Sequence, residues 1–198
     1  MFSKYDVYTT VQSVYCYKDT NVLKNKLNIK DSDILKEAEE EITAIKQMQL
    51  LKEPIRGNFS KTHLIKIHKF IFEDIYSFAG RIRRESISKA ETVFYPPELI
   101  DRELDKLFEK IKSNNFLNET DTQKKLDNLA YVMAELNIIH PFREGNGRTI
   151  REFVRVMAKH IGININWGNI NKEDLLRASI QSVDNYKILI NILKKCSH

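Results

Sequence analysis

Twelve consecutive residues, His140-Pro141-Phe142-Arg143-Glu144-Gly145-Asn146-Gly147-Arg148-Thr149-Ile150-Arg151, gather side chains that could do chemistry. A neutral imidazole takes a proton near pH 7, so His140 is the candidate base for a hydroxyl. Glu144 is a single carboxylate, and Mg²⁺ is commonly held by one or two carboxylates with waters and substrate phosphates. Gly145 and Gly147 allow positive φ and close backbone approach. Asn146 between them can donate its amide to a phosphate oxygen. Apolar spacing predicts a helix over 148–161 directly afterwards. A glycine-containing loop that runs into a helix offers backbone N–H groups and the positive end of the dipole to an anion. Arg148 and Arg151 share one face of that helix and can add bidentate contacts to phosphate. Arg143 extends the phosphate-binding set, and Phe142 is the apolar plug that anchors the loop. Singly, these features are common: a histidine after a helix, a Gly-Asn-Gly turn, two arginines on a solvated face. Together they read as a polyphosphate cradle with a base at its mouth.

The rest of the chain must hold that loop. A helix with Leu126, Leu129, Ala130, Met133 and Leu136 inward, opened by a Thr120–Gln123 capping box, delivers His140 at its end, after Ile139. The motif helix buries Ile150, Phe153, Val154, Met157 and Ile161, and Gly162 stops it. Upstream, Asp31 or Ser32 caps a helix to about Leu51. Its apolar side is Ile34, Leu35, Ala38, Ile42, Ile45 and Met48, and the run Glu37, Glu39, Glu40, Glu41 is expected on a solvated face. Ser60 caps a second helix with Leu64, Ile67, Ile71 and Phe72. His63 and His68 are five apart, the wrong spacing for two ligands on one helical face, and His68 falls in the apolar stripe as a core histidine. Residues 85–95 read as a β-hairpin or flap. A third helix starts at Pro97, and two more cover about 172–181 and 184–194. Residues 1–30, with Tyr5, Tyr8, Tyr15 and Tyr17, read as an arm packed on the surface by its tyrosines. The sum is an all-α bundle with one short β flap: an arm over 1–30 and a single domain over 31–198.

Bulk properties bound the reading without choosing it. The chain has 198 residues, 30% charged and 42% hydrophobic, with a formal charge of +5. That length suits one domain with its own core. Its basic character, pI near 9.0, is compatible with nucleotide, nucleic acid or an acidic partner and selects none. Cys16 and Cys196 lie near opposite ends without zinc-type spacing, which favours a reducing intracellular setting. No signal peptide and no membrane-length apolar run is visible, so a cytoplasmic place and no membrane partner are expected, with delivery into another cell left open. No basic, groove-facing helix stands out, and no direct nucleic-acid binding is expected.

The motif also resembles a known family. His140-Pro-Phe-x-x-Gly-Asn-Gly-Arg-x-x-Arg151 is similar to the complete signature of the Fic (filamentation induced by cAMP) domain. The likeness extends through Ile67-His68, Phe72-Glu-Asp-Ile-Tyr-Ser-Phe-Ala-Gly80 and Arg83 to the flap region, and covers roughly 30–195. The resemblance implies a Fic-like helical bundle that transfers AMP from ATP to a Ser, Thr or Tyr hydroxyl of a target protein. His140 would deprotonate that hydroxyl. Glu144 would hold Mg²⁺ on the α- and β-phosphates. Gly145, Asn146 and Gly147 would form the anion hole, and Arg148 and Arg151 would orient the β- and γ-phosphates. The flap, with Ser88, Lys89, Val93 and Phe94, would align an extended target segment by strand-type pairing.

Gly147 stands where phosphate-transferring relatives carry lysine, which argues for nucleotidyl transfer. Many relatives also carry an inhibitory Ser/Thr-x-x-x-Glu-Gly/Asn helix, which this sequence does not encode in that recognised form. The resemblance then implies the class inhibited in trans: a toxin held by a small antitoxin carrying that helix, with DNA gyrase or topoisomerase IV subunits as candidate targets. Two alternatives stay open at this level. One is a Fic enzyme with another donor, transferring UMP or phosphocholine. The other is a non-enzymatic nucleotide- or DNA-binding regulator.

Overall fold

The structure, a computed structural model, describes residues 13–89, 92–113 and 116–198. Seven α-helices are described: α1 (Ser32–Lys52), α2 (Lys61–Phe72), α3 (Pro97–Ser113), α4 (Thr122–Ile139), α5 (Asn146–His160), α6 (Lys172–Gln181) and α7 (Ile188–Cys196). A two-strand antiparallel hairpin, β1 (Ser88–Lys89) with β2 (Thr92–Val93), pairs Ser88 with Val93 and Lys89 with Thr92. The fold is all-α with one short flap. None of the described helices is long and apolar enough to cross a membrane.

Local chemistry explains most boundaries. Asp31, Ser60, Asp121 and Asn171 cap α1, α2, α4 and α6 with side-chain oxygens. At α4 the cap is Asp121, not the Thr120 box, because its carboxylate accepts from Lys124 N at 2.8 Å and adds negative charge at the positive end of the helix. The last helix starts four residues later than expected. Asn185 Oδ1 accepts from Lys187 N, a local bond that competes with helix formation.

The central pair is α4 and α5. Helix α4 also packs on α7 and α3, and α5 on α2. Thr149, Ile150, Phe153, Val154, Met157 and Ala158 form the buried face of α5. Helix α1 departs from the predicted pattern. It buries Leu35, Glu39, Thr43 and Leu50, while Ile34, Ile45, Met48 and Leu51 face solvent, Met48 at 56% exposure. Of the predicted apolar side, Leu35 is buried and Ile42 packs against the core, while Ile34, Ile45 and Met48 lie outside. The cause is polar: the inner row must carry Glu39 and Thr43 to meet a cation from α5. The C-terminal end of α1 is tied down by Arg155, which forms a bidentate pair with Glu152 and donates to Leu50 O at 3.0 Å.

The described part of the arm is packed. Tyr15 meets Phe78 edge-on at 5.2 Å, Tyr17 packs against the core, and Cys16 and Leu23 are buried. Tyr5 and Tyr8 lie outside the described residues. Both cysteines are free and buried.

His68 is fully buried and joins two elements. Its Nδ1 accepts from Gly80 N at 2.8 Å, which leaves the Nε2 proton to be donated to Glu144 O at 3.0 Å. Burial pushes its pKa down to about 3, so it stays neutral in the fold. Unfolded, it takes a proton near 6.5. Between these values the unfolded chain binds more protons, so stability is full above about 6.5 and falls as pH drops toward 3, by up to about 1.4 kcal/mol per unit. Urea unfolding from pH 7 to 4 should show this decline, and His68→Gln should flatten it. An equally steep decline in that variant assigns the acid sensitivity to other groups.

Candidate active site

Helix α4 ends on His140 with left-handed backbone, φ 47°, directly before Pro141. His140 N donates to Leu136 O, and Nδ1 lies 3.1 Å from Asn137 O. A carbonyl can only accept, so Nδ1 carries the proton and Nε2 the lone pair. That is the tautomer a general base needs. The imidazole is stacked on Phe94 of the flap, with centroids 3.8 Å apart and planes 14° off parallel.

The loop between His140 and α5 closes on itself. Asn146 Oδ1 accepts from Phe142 N at 2.9 Å, and its Nδ2 donates to Phe142 O at 2.7 Å. The side chain is buried, and one of the two Nδ2 N–H groups closes the loop. Phe142 is fully buried and stacks on His68 at 3.8 Å. Gly145 has φ 81°, and a Cβ there would lie 2.1 Å from the Phe72 ring, so the position requires glycine. Gly147 needs no positive φ. It lies within the first turn of α5, where a Cβ would come 3.1 Å from Arg151 Nη1. Helix α5 begins at Asn146, two residues before the predicted start, with no side-chain cap among the described residues. Its first N–H groups and dipole end thus form the cradle itself.

The two motif arginines differ. Arg148 donates from Nη2 to Glu39 Oε1 at 2.5 Å and to Glu144 Oε1 at 3.4 Å, and from Nη1 to Thr43 Oγ1 at 3.0 Å. Burial works against its charge, but Glu39 and Glu144 more than offset this, and its pKa is raised. Glu39 is 5% exposed and also accepts from Tyr76 OH. The solvated-face expectation fails for it. Arg151 has no acidic partner among the described residues; burial, then the Arg148 charge, pushes its pKa down to about 10. It lines a cavity of about 180 Å³ with Gln47, Leu51, Trp167 and Gly168. A larger cavity, about 630 Å³, lies near Phe59, Phe108 and His160, and no motif residue lines it. The motif geometry, not cavity size, marks the site.

Glu144 Oε1 accepts from Gly145 N at 2.8 Å, which fixes the carboxylate at the cradle's edge. No group of three acidic, His or Cys side chains able to hold a metal occurs among the described residues. A single carboxylate beside a phosphate cradle still fits Mg²⁺, which draws its other ligands from phosphates and water. Arg143 is buried with its guanidinium 6.0 Å from the Tyr15 ring centroid, packed toward the arm. In the flap, Val93 is 75% exposed and Ser88 half-buried, and Lys89 is described by its backbone pairing. Phe94 is buried against His140, so the expectation that it contacts a target is corrected.

Sequence reasoning missed Glu39 as the partner of Arg148. A signal existed: Leu35, Glu39, Thr43 and Leu50 form one helical row, and a glutamate in such a row calls for a cation. It also missed Phe94 as the platform for the imidazole and the buried contacts of Arg83.

These features define a helical domain with a base at the end of one helix and an anion cradle at the start of the next. Residues 58–158 match the Fic/DOC family, and the chain belongs to that family. It is similar to protein adenylyltransferase VbhT of Bartonella schoenbuchensis, 35% identical over 85% of this chain and 35% of that protein, so it spans about a third of that relative's length. It is also similar to the Sinorhizobium fredii protein named "Probable protein adenylyltransferase y4lH", 32% identical over 88% of this chain and 90% of that one. Among solved structures, the ADP-bound N-terminal Fic domain of a VirB-translocated effector from Bartonella quintana superposes with a TM-score of 0.85 at 29% identity, covering 93% of this chain and 94% of that one. BepC of Bartonella tribocorum with bound AMPPNP gives 0.84 at 27% identity, covering 93% and 96%.

Breaking the Glu39–Arg148 pair should leave a buried cation exposed to its own desolvation cost. Glu39→Ala is expected to lower unfolding stability by about 3–5 kcal/mol, the range for one lost partner of a buried pair. Urea denaturation reads this directly, and a loss below about 1 kcal/mol shows that the pair is not buried in solution as drawn.

Proposed function

We propose that this chain is a protein adenylyltransferase that moves AMP from ATP to a hydroxyl side chain of another protein. The carrying observation is the juxtaposition of His140, in the Nδ1-protonated tautomer, with the uncapped start of α5. His140 Nε2 takes the proton of the target hydroxyl. The hydroxyl oxygen bonds to the α-phosphorus as the bond from that phosphorus to the bridging oxygen breaks, and pyrophosphate leaves. Its charge falls on the α5 N–H groups and Arg151. Glu144 would hold Mg²⁺, which neutralises phosphate charge when bound. The flap hairpin, with Val93 outward, offers an edge for an extended target segment. The names of the relatives and the ADP- and AMPPNP-bound neighbours support this reading.

Regulation in trans fits the same surface. The outer row of α1, Ile45, Met48 and Leu51, leads to the cavity where Arg151 stands without an acidic partner among the described residues. A partner helix with apolar contacts for α1 and one glutamate for Arg151 would block the γ-phosphate position. That is the behaviour of a toxin held by a small antitoxin with a Ser/Thr-x-x-x-Glu-Gly/Asn helix.

Incubation with α-labelled ATP, Mg²⁺ and bacterial proteins, gyrase and topoisomerase IV subunits first, should label a target. His140→Ala should reduce the rate at least about 100-fold, the scale of a lost general base. Labelling that survives this change rejects His140 as base, and stronger labelling from UTP than from ATP rejects the donor. A helical peptide carrying the inhibitory sequence should suppress labelling, and its Glu→Gln form should not. Ile45→Lys with Met48→Lys should weaken that suppression while leaving the uninhibited rate unchanged. Suppression that ignores both changes places the partner elsewhere.

A further inference from the structure

Arg83 is 1% exposed, yet among the described residues its guanidinium bonds to backbone carbonyls and to no carboxylate. Nε donates to His140 O at 2.8 Å and Nη1 to Glu85 O at 2.6 Å, and Nη2 donates to Tyr95 O and, at 3.3 Å, to Ile139 O. Its own N–H donates to Pro141 O at 2.9 Å, and Tyr95 N donates to Ile138 O at 3.3 Å. One planar fork thus joins both stalks of the flap, Glu85 and Tyr95, to the end of α4 that carries His140.

We propose that Arg83 is a positioning residue that locks the flap to His140, so that target alignment and proton abstraction are set by one buried guanidinium. The inference rests on the adenylyltransferase reading and deepens it. The last carbonyls of a helix lack intrahelical partners and sit at the negative end of its dipole, where a cation is favoured. The left-handed backbone of His140 is costly for a non-glycine residue, and the Nε bond to its carbonyl helps to hold it. The hairpin has strands of two residues, too short to be stable unaided, so its stalks need an external tie. Phe94 precedes Tyr95 and stacks on the imidazole, so a shift of that stalk moves the ring under His140. Lysine cannot replace this fork, because its ammonium is a compact point charge that cannot span acceptors spread along a plane.

The test compares Arg83→Lys and Arg83→Gln in the full chain by amide hydrogen exchange and by the ATP dependence of AMP labelling of bacterial proteins. Exchange in residues 85–89 and 92–95 should rise about tenfold or more in both variants, with α2 and the centre of α5 unchanged, as expected for local loss of a charge-assisted hydrogen bond. Half-saturating ATP should stay within about twofold while the maximal rate falls at least about thirtyfold, because positioning is lost and nucleotide binding is not. Flap exchange equal to that of the unchanged protein overturns the inference. So does uniform acceleration that includes α2 and α5, which makes Arg83 general core support. If the unchanged protein transfers no AMP, the functional reading falls, and the exchange result still decides whether the lock exists.

Discussion

The site depends on a tight reversal between two helices. Between Ile139 and Asn146 the chain takes left-handed backbone twice, at His140 and Gly145. Glycine accepts this conformation freely, but histidine does so at a cost of about 1–3 kcal/mol. The reversal persists because buried polar groups over-determine it. Asn146 closes it from within, and His68 holds the Glu144 carbonyl from α2. Phe142 fills the space beneath. The loop leaves the first N–H groups of α5 without a side-chain cap among the described residues.

Charge follows the same division of labour. Arg148 lies between Glu39 and Glu144 and links α1 to the loop. Arg151, one turn further along α5, has no such partner among the described residues and lines a cavity. Two arginines three residues apart thus have different roles because one faces an acidic helix and the other a cavity. The cost appears on α1. Its inner row gives up apolar positions to Glu39 and Thr43, while Ile34, Ile45, Met48 and Leu51 face outward. A helix built this way is stable only against this particular neighbour, since isolated burial of Glu39 would be heavily penalised.

The two helices that form the site could be read from sequence with little error. Helix α4 ends where expected and α5 buries the expected face, because each has a continuous apolar row and a clear stop. Helix α1 lies where expected, but only part of its predicted apolar side faces inward: Leu35 and Ile42 do, and Ile34, Ile45 and Met48 do not. Periodicity finds the most apolar side of a helix, and here the buried side is chosen by an ion pair to a residue 109 positions away. Phe94 failed for a related reason: an aromatic residue in a flap reads as a contact for a target until the partner beneath it is known.

The sequence by itself determined the chemistry available. It set a base, a carboxylate, two arginines and a glycine-started helix within twelve residues, because those depend on residue type and short-range spacing. Tertiary structure decided how each group is used. It fixed the His140 tautomer through Asn137 O, assigned Asn146 to the loop and Arg148 to Glu39, and joined the flap to the base through Arg83. The Arg148 and Arg83 contacts depend on where a distant carboxylate and distant backbone carbonyls come to rest, and local pattern carries no record of that.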